Sequence, residues 1–412
     1  MQLGQVPLAA PQTADRILAP DVARGMMLLC IAVANVSSYL WGREATDLST
    51  THLTGEDTVS TILSFLVMIF IDGHVYPMFA FLFGYGITQF AISRISRGAA
   101  PHTVSKMLLR RHLWLLAFGG VHALLLFAGD ILGAYAFTGL AVSALLLRGS
   151  DRLLRILLWV AGALAACTVL FTAVSIAVLE SFSSSELILA GDVAAFDMGI
   201  PGIGDVMSGI ANYWLAMIAR FAIWVTSSIG AVLSLIVPFL VVLGGLLARY
   251  RWLENVARTR FSLAQVAIVG ITIGLLGSLP AGFTFLGIWQ PAAVWSGLNL
   301  FLFQFCGVVG GLGYVALIAW LGSRAKPDLS LPVKAIAAVG KRSLSFYLLQ
   351  SCVFAPLLSA WGLGLGASLS SAQAYLLAGV VWLCSLVLAV WLDARGWRGP
   401  AEVLLRRLTY GR

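Results

Sequence analysis

The chain has 412 residues, of which 60% are hydrophobic and 11% charged, with a mean hydropathy of +0.93. This excludes a soluble globule, whose wetted surface needs about a quarter of charged residues, and predicts an all-α polytopic membrane helix bundle. The net charge of +8 needs no nucleic acid to explain it. Of the 26 Lys and Arg, all but Arg43 and Arg220 fall on one side of the spans read below, as the basic bias of cytoplasm-facing segments requires.

In chain order, residues 1–19 read as a cytoplasmic arm, 20–394 as one transmembrane bundle and 395–412 as a basic cytoplasmic tail. The run from Val22 to Trp41 can cross a hydrocarbon layer of ~30 Å and is followed by no signal-peptide cleavage pattern, so it reads as a retained first span. Glu44, Asp47, Glu56 and Asp57 mark the next connection as external. Asp57 to Phe70 is apolar, but counting it as a span would carry Arg94, Arg97, Lys106, Arg110 and Arg111 outside. It therefore reads as an interfacial or re-entrant helix, which Asp72-Gly73-His74 turns into span 2 at 75–93. Spans 3 and 4, at 109–127 and 131–147, form a hairpin around an outer Gly129-Asp130 corner. Span 5 runs to about residue 179. The external loop at 180–210 carries Glu186, Asp192, Asp197 and Asp205 without Lys or Arg, and the aromatic stretch Tyr213 to Trp224 suits the headgroup level. Spans at 227–248, 261–283, 294–321, 344–361 and 375–392 complete ten crossings with both ends inside. The five cysteines (Cys30, Cys167, Cys306, Cys352 and Cys384) lie singly in apolar segments, so they read as packing residues and no metal site is expected.

The polar residues inside these spans carry the functional information, because an ionisable group in a bilayer is expensive. His122 lies 11 residues beyond Arg111, ~16 Å into the layer. It is either a histidine bonded to a backbone carbonyl or a general base. Asp130 is eight residues further, ~12 Å away along a straight helix, so coupling to His122 needs the Gly129 bend, water or a neighbour. Asp130 can alternatively cap span 4. Asn35, deep in span 1, is either interhelical glue or a donor to a reacting carbonyl. Asp72 and His74 form an outer polar corner. Arg24, Arg110, Arg111, Lys341 and Arg342 form an inward-facing basic ring, which the inside bias of basic residues alone can generate and which is also able to hold phosphates.

Several of these residues carry a family resemblance. Asp21-x-x-Arg24-Gly25 with Asn35, the Phe81 to Gly86 run, His122 followed by Gly129-Asp130-Ile131-Leu132 and Tyr135, the Gly340 to Gln350 run, and Gly399-Pro400-x-Glu402 with Arg406 and Thr409-Tyr410 resemble the YeiB family. That family is similar to transmembrane acyltransferases such as heparan-alpha-glucosaminide N-acetyltransferase. Two positions depart from the pattern: His74-Val75 stands where Lys-Phe is common, and Phe346 in Leu344-Ser345-Phe346-Tyr347 replaces an amide. The resemblance implies transfer of an acyl group from cytoplasmic acyl-CoA, with acetyl-CoA as the expected co-substrate, to an external hydroxyl or amine. His122 would be the base, Asn35 the carbonyl donor, Asp130, Asp72 and His74 further candidates, and the basic ring the phosphate site. The expected partners are the lipid bilayer and a small-molecule, glycan or lipid acceptor, with no nucleic acid and with a homodimer allowed for; the expected location is a bacterial-type plasma (inner) membrane. A proton-coupled permease of a small amphiphile, or a non-catalytic scaffold, are the other readings.

Overall fold

A segment surrounded by lipid must satisfy its backbone groups internally, and a helix does so within one stretch of chain. The computed structural model describes residues 19–43, 52–189, 203–253, 262–290, 293–324 and 330–411, and nearly all of their regular structure is α-helical. The helices are α1 (Ala19–Val36), α2 (Thr58–Phe70), α3 (Val75–Ile95), α4 (Pro101–Leu125), α5 (Leu132–Arg148), α6 (Asp151–Leu189), α7 (Ile203–Ser208), α8 (Tyr213–Leu233), α9 (Ile236–Arg249), α10 (Leu263–Phe285), α11 (Ala293–Arg324), α12 (Leu331–Gly340), α13 (Ser343–Leu358), α14 (Ser371–Ala394) and α15 (Pro400–Tyr410). Among the described residues, seven helical segments are long and apolar enough to cross a membrane, with α2 and α3 together forming one of them. The protein is an all-α polytopic bundle. The shorter apolar helices α5, α9, α12 and α13 pack among the long ones.

Most element boundaries follow local chemistry. Asp57 caps α2 by accepting from the amides of Val59 and Ser60, and the Ser60 hydroxyl holds its carboxyl below the usual carboxylate range. Ser262 with Gln265 and Ser370 with Gln373 form capping boxes on α10 and α14. At 13 residues, α2 spans ~20 Å, short of the hydrocarbon thickness.

Three boundaries differ from the sequence reading. The stretch Tyr213–Trp224 is not a separate headgroup-level segment: it is the first half of α8, a 21-residue helix long enough to cross. Span 6 at 227–248 is accordingly not one helix. It breaks at Ser234-Leu235, where Leu235 adopts a left-handed conformation (φ 61°). Third, α6 runs on through Leu189, so the first part of the expected 180–210 loop is helical; residues 190–202 lie outside the described set.

Close packing brings α3 against α9. A Cβ on Gly84 would overlap the Val241 carbonyl, so only glycine allows this approach. The apolar cluster around it joins Ala80 and Ile87 of α3 to Leu108, Tyr135, Leu146 and Leu240 of α4, α5 and α9. At one end of the bundle Arg249 of α9 pairs with Asp151 at 2.6 Å, Arg110 donates to the Leu408 carbonyl and Arg94 stacks on Tyr410. We call this the basic end.

The charge bias predicts the sidedness. In a background without native cysteines, Ser368→Cys should react with a membrane-impermeant thiol reagent in intact cells, whereas Arg97→Cys and Arg406→Cys should not. Reaction at position 97 from outside would mean that α2 crosses the membrane.

Candidate functional site

α4 ends one turn beyond His122: the amides of Leu126 and Phe127 close on the His122 carbonyl, and the chain leaves the helix. The bend therefore begins before Gly129. It folds Asp130 back so that its Oδ1 lies 2.8 Å from Nδ1 of His122, a contact impossible along a straight helix. Both side chains are buried, the Asp130 carboxylate at 0% exposure.

Three other elements hold the same carboxylate. Tyr347 of α13 donates its hydroxyl to Oδ1 at 3.3 Å, Trp224 of α8 donates its indole N–H to Oδ2 at 3.1 Å, and the Gly133 amide donates to Oδ2 at 3.0 Å. Asp130 thus also satisfies an amide in the first turn of α5, so the capping and coupling roles coexist. With three fixed N–H or O–H donors already facing it, the carboxylate acts as acceptor and His122 Nδ1 donates. A neutral imidazole in that tautomer leaves the lone pair on Nε2. That nitrogen is buried and has no hydrogen-bond partner among the described residues.

Next to the dyad lies a cavity of about 520 Å³. Asp130, Tyr76, Tyr135, Ser228 and Gln304 contribute polar groups to a mostly apolar wall, which runs from α3 and α5 across α8 and α9 to α11. Tyr76 donates to the Gln304 side chain, and Tyr135 donates to the Tyr76 carbonyl. The break between α8 and α9 forms part of the same wall through Ser234 and Ile236.

Asn35 stands in α1, partly buried, outside the hydrogen bonds of the dyad. Asp72 and His74 do not pair through their side chains: His74 Nδ1 meets the Asp72 backbone carbonyl at 2.7 Å, and its ring fills a notch between Gly274 of α10 and Gly310 of α11. The Asp72 carboxylate instead meets His52 Nε2 at 2.6 Å, and His52 Nδ1 continues to Tyr375 and Ser64. Nothing in the apolar pattern singled out His52, which lies in a loop. His112, one residue past Arg111, is also buried, and its Nε2 meets the Ser143 hydroxyl at 2.9 Å.

The expected basic ring divides in two. Arg24 and Arg111 are electrostatic neighbours near Tyr410, and Arg110 binds α15. Lys341 and Arg342 instead pair with Asp393 of α14, and Arg342 is buried against the Ala338 and Trp397 carbonyls. These two line a second cavity of about 480 Å³ with Arg398, Arg406, Trp397 and Glu402. Glu402 also accepts from the amides of Leu344 and Ser345 and from the Ser345 hydroxyl, so α15 caps the start of α13.

Residues 247–412, which hold this α13–α15 junction and Tyr347, match a family described as "Protein of unknown function (DUF418)". His122 and Asp130 precede the matched segment. The chain is 24% identical to the "Uncharacterized protein YxaH" of Bacillus subtilis (strain 168), over 97% of its own length and 95% of that protein. It is 31% identical to an "Uncharacterized 39.9 kDa protein in amylase 3'region" of Bacillus acidopullulyticus over 126 residues, 31% of this chain and 33% of that one. No solved structure matches.

The carboxylate network makes a stability prediction. Asp130→Ala should cost about 3 kcal/mol or more, because it leaves the Trp224, Gly133 and His122 donors buried and unpaired, whereas Trp224→Phe should cost about 1 kcal/mol. Denaturant titration of the detergent-solubilised variants measures both. A loss below about 1 kcal/mol for Asp130→Ala would mean that the network does not secure the four helices.

Proposed function

We propose that the chain is a transmembrane acyltransferase of a bacterial-type plasma membrane, moving an acyl group from cytoplasmic acyl-CoA to a hydroxyl or amine acceptor that arrives from the opposite side. The observation that carries this reading is the Asp130–His122 dyad, with its second imidazole nitrogen buried and unpartnered. Asp130 fixes the tautomer, as the orienting carboxylate does in nucleophile-activating triads. His122 Nε2 would take the proton of the acceptor O–H or N–H as that atom attacks the thioester carbonyl. The carbon–sulfur bond then breaks, and the imidazolium returns the proton to the departing thiolate.

The two cavities support the reading. The more polar one is lined by Lys341, Arg342, Arg398 and Arg406 together with Asp393 and Glu402; with Lys341 and Arg342 paired to Asp393, Arg398 and Arg406 are its candidates for the phosphates of acyl-CoA. Arg342 immediately precedes α13 and Tyr347 lies in its second turn, so the start of one helix links this cavity to the dyad. The apolar cavity beside Asp130 suits an acyl chain. Asn35 has no role on this geometry, and the family likeness to YeiB proteins supports the reaction class only by analogy.

One observation favours a second reading. A helix broken at mid-length beside a cavity, as between α8 and α9, is the usual architecture of a transporter site, with the dyad as its proton carrier. The same variant separates them. His122→Ala should lower acyl transfer by ~10²–10⁴-fold and leave acyl-CoA affinity nearly unchanged, whereas Arg406→Ala should weaken acyl-CoA binding. If purified protein shows no melting shift with any acyl-CoA chain length, yet supports His122-dependent flux in proteoliposomes, the enzyme reading fails and the transporter reading stands.

A further inference from the structure

Arg220 breaks the pattern set by the other buried cations. Arg249 and Arg342 each meet a carboxylate, whereas Arg220, 1% exposed on α8, forms no ion pair among the described residues. One terminal nitrogen donates to the carbonyls of Leu124 and Leu125, both at 3.3 Å, where the end of α4 favours a positive charge. Its Nε and its other terminal nitrogen, which carry three N–H donors between them, have no hydrogen-bond partner among the described residues.

The surroundings supply more donors and, among the described residues, no acid. The guanidinium lies over the rings of Tyr213 and Trp361, 5.5 and 5.6 Å from their centroids, and these rings meet edge to face at 4.9 Å. The Trp361 indole N–H is also buried and has no hydrogen-bond partner among the described residues. Both rings are themselves partly exposed, so the cation lies one side-chain layer below the surface. Capping two carbonyls and stacking on aromatic rings use one terminal nitrogen and the faces of the guanidinium, and leave Nε and the other terminal nitrogen as separate donors. Charged N–H donors in a water-poor setting suit the oxygens of a phosphate or carboxylate.

We propose that Arg220 and Trp361 form a binding site for an oxyanion, at the end of the bundle opposite the basic end. Free phosphate and the phosphate of a lipid headgroup present the same chemistry to it. Leu124 and Leu125 follow His122 by two and three residues, so the bound group would sit beside the dyad. On the acyl-transfer reading it would belong to the acceptor, but the binding itself does not depend on that reading.

The test is thermal melting of lipid-stripped, detergent-purified protein. One arm titrates inorganic phosphate against chloride at equal ionic strength. The other titrates dihexanoyl phosphatidylglycerol against dihexanoylglycerol, which lacks the phosphate. A saturable rise with inorganic phosphate assigns a water-borne anion, and a rise with the phospholipid alone assigns a headgroup. Arg220→Met should abolish the shift, and Trp361→Phe, which keeps the ring, should weaken the apparent affinity roughly tenfold. Should Arg220→Met fail to fold, Trp361→Phe carries the decision. No shift with either probe, a shift retained by Arg220→Met, or an unchanged affinity in Trp361→Phe overturns the proposal.

Discussion

The arrangement of the central helices depends on one carboxylate. Asp130, in the link between α4 and α5, accepts from groups on both of these helices and on the sequence-distant α8 and α13, so four helices converge on two oxygens. A carboxylate taken out of water is tolerable only when its lone pairs are all used, and here each oxygen has two donors. Hydrophobic packing between helices gives little direction in a bilayer, where lipid tails are as apolar as leucine. A directional polar centre can supply the specificity that apolar contact lacks.

That centre also explains the irregular elements around it. α4 unwinds after His122 because the chain must return Asp130 to the imidazole, and α5 starts where the carboxylate can accept from its first turn. α8 presents Trp224 to the carboxylate and, one turn earlier, Arg220 to the carbonyls that α4 leaves free at its end. The terminal helix α15 acts at a distance: Glu402 closes the start of α13, the helix that delivers Tyr347. Phe346 is buried in an apolar cluster, and its neighbour Tyr347 makes the polar contact.

What the polar groups do chemically follows from which of their bonds are left open. His122, His112 and His74 each have one nitrogen engaged, by Asp130, Ser143 and the Asp72 carbonyl in turn, and the other buried with no hydrogen-bond partner among the described residues. His52 has both nitrogens engaged, in a chain that runs from Asp72 to Tyr375. The four buried histidines thus differ in their partners rather than in burial: His122 is the one of them that pairs a buried carboxylate on one nitrogen with an unpartnered second nitrogen, the arrangement of an oriented base.

The sequence by itself determined the class and most of the helices. Hydropathy, length and the one-sided placement of Lys and Arg are local or additive properties, so the helical bundle, the short α2 and the hairpin at Gly129-Asp130 could be read without coordinates. His122 and Asp130 stood out for the same reason, since charge in an apolar run is visible one residue at a time. Their direct bond was not visible, because it depends on where α4 unwinds. Trp224 and Tyr347 look like ordinary aromatic residues of apolar helices until folding brings them, 94 and 217 residues from Asp130, to its carboxylate. The division of the basic ring and the lack of an ion pair on Arg220 among the described residues belong to the same class. Only tertiary structure decides whether a charge at a helix end meets a carboxylate, a carbonyl or nothing, because the partner lies on another helix whose rotation no local pattern fixes.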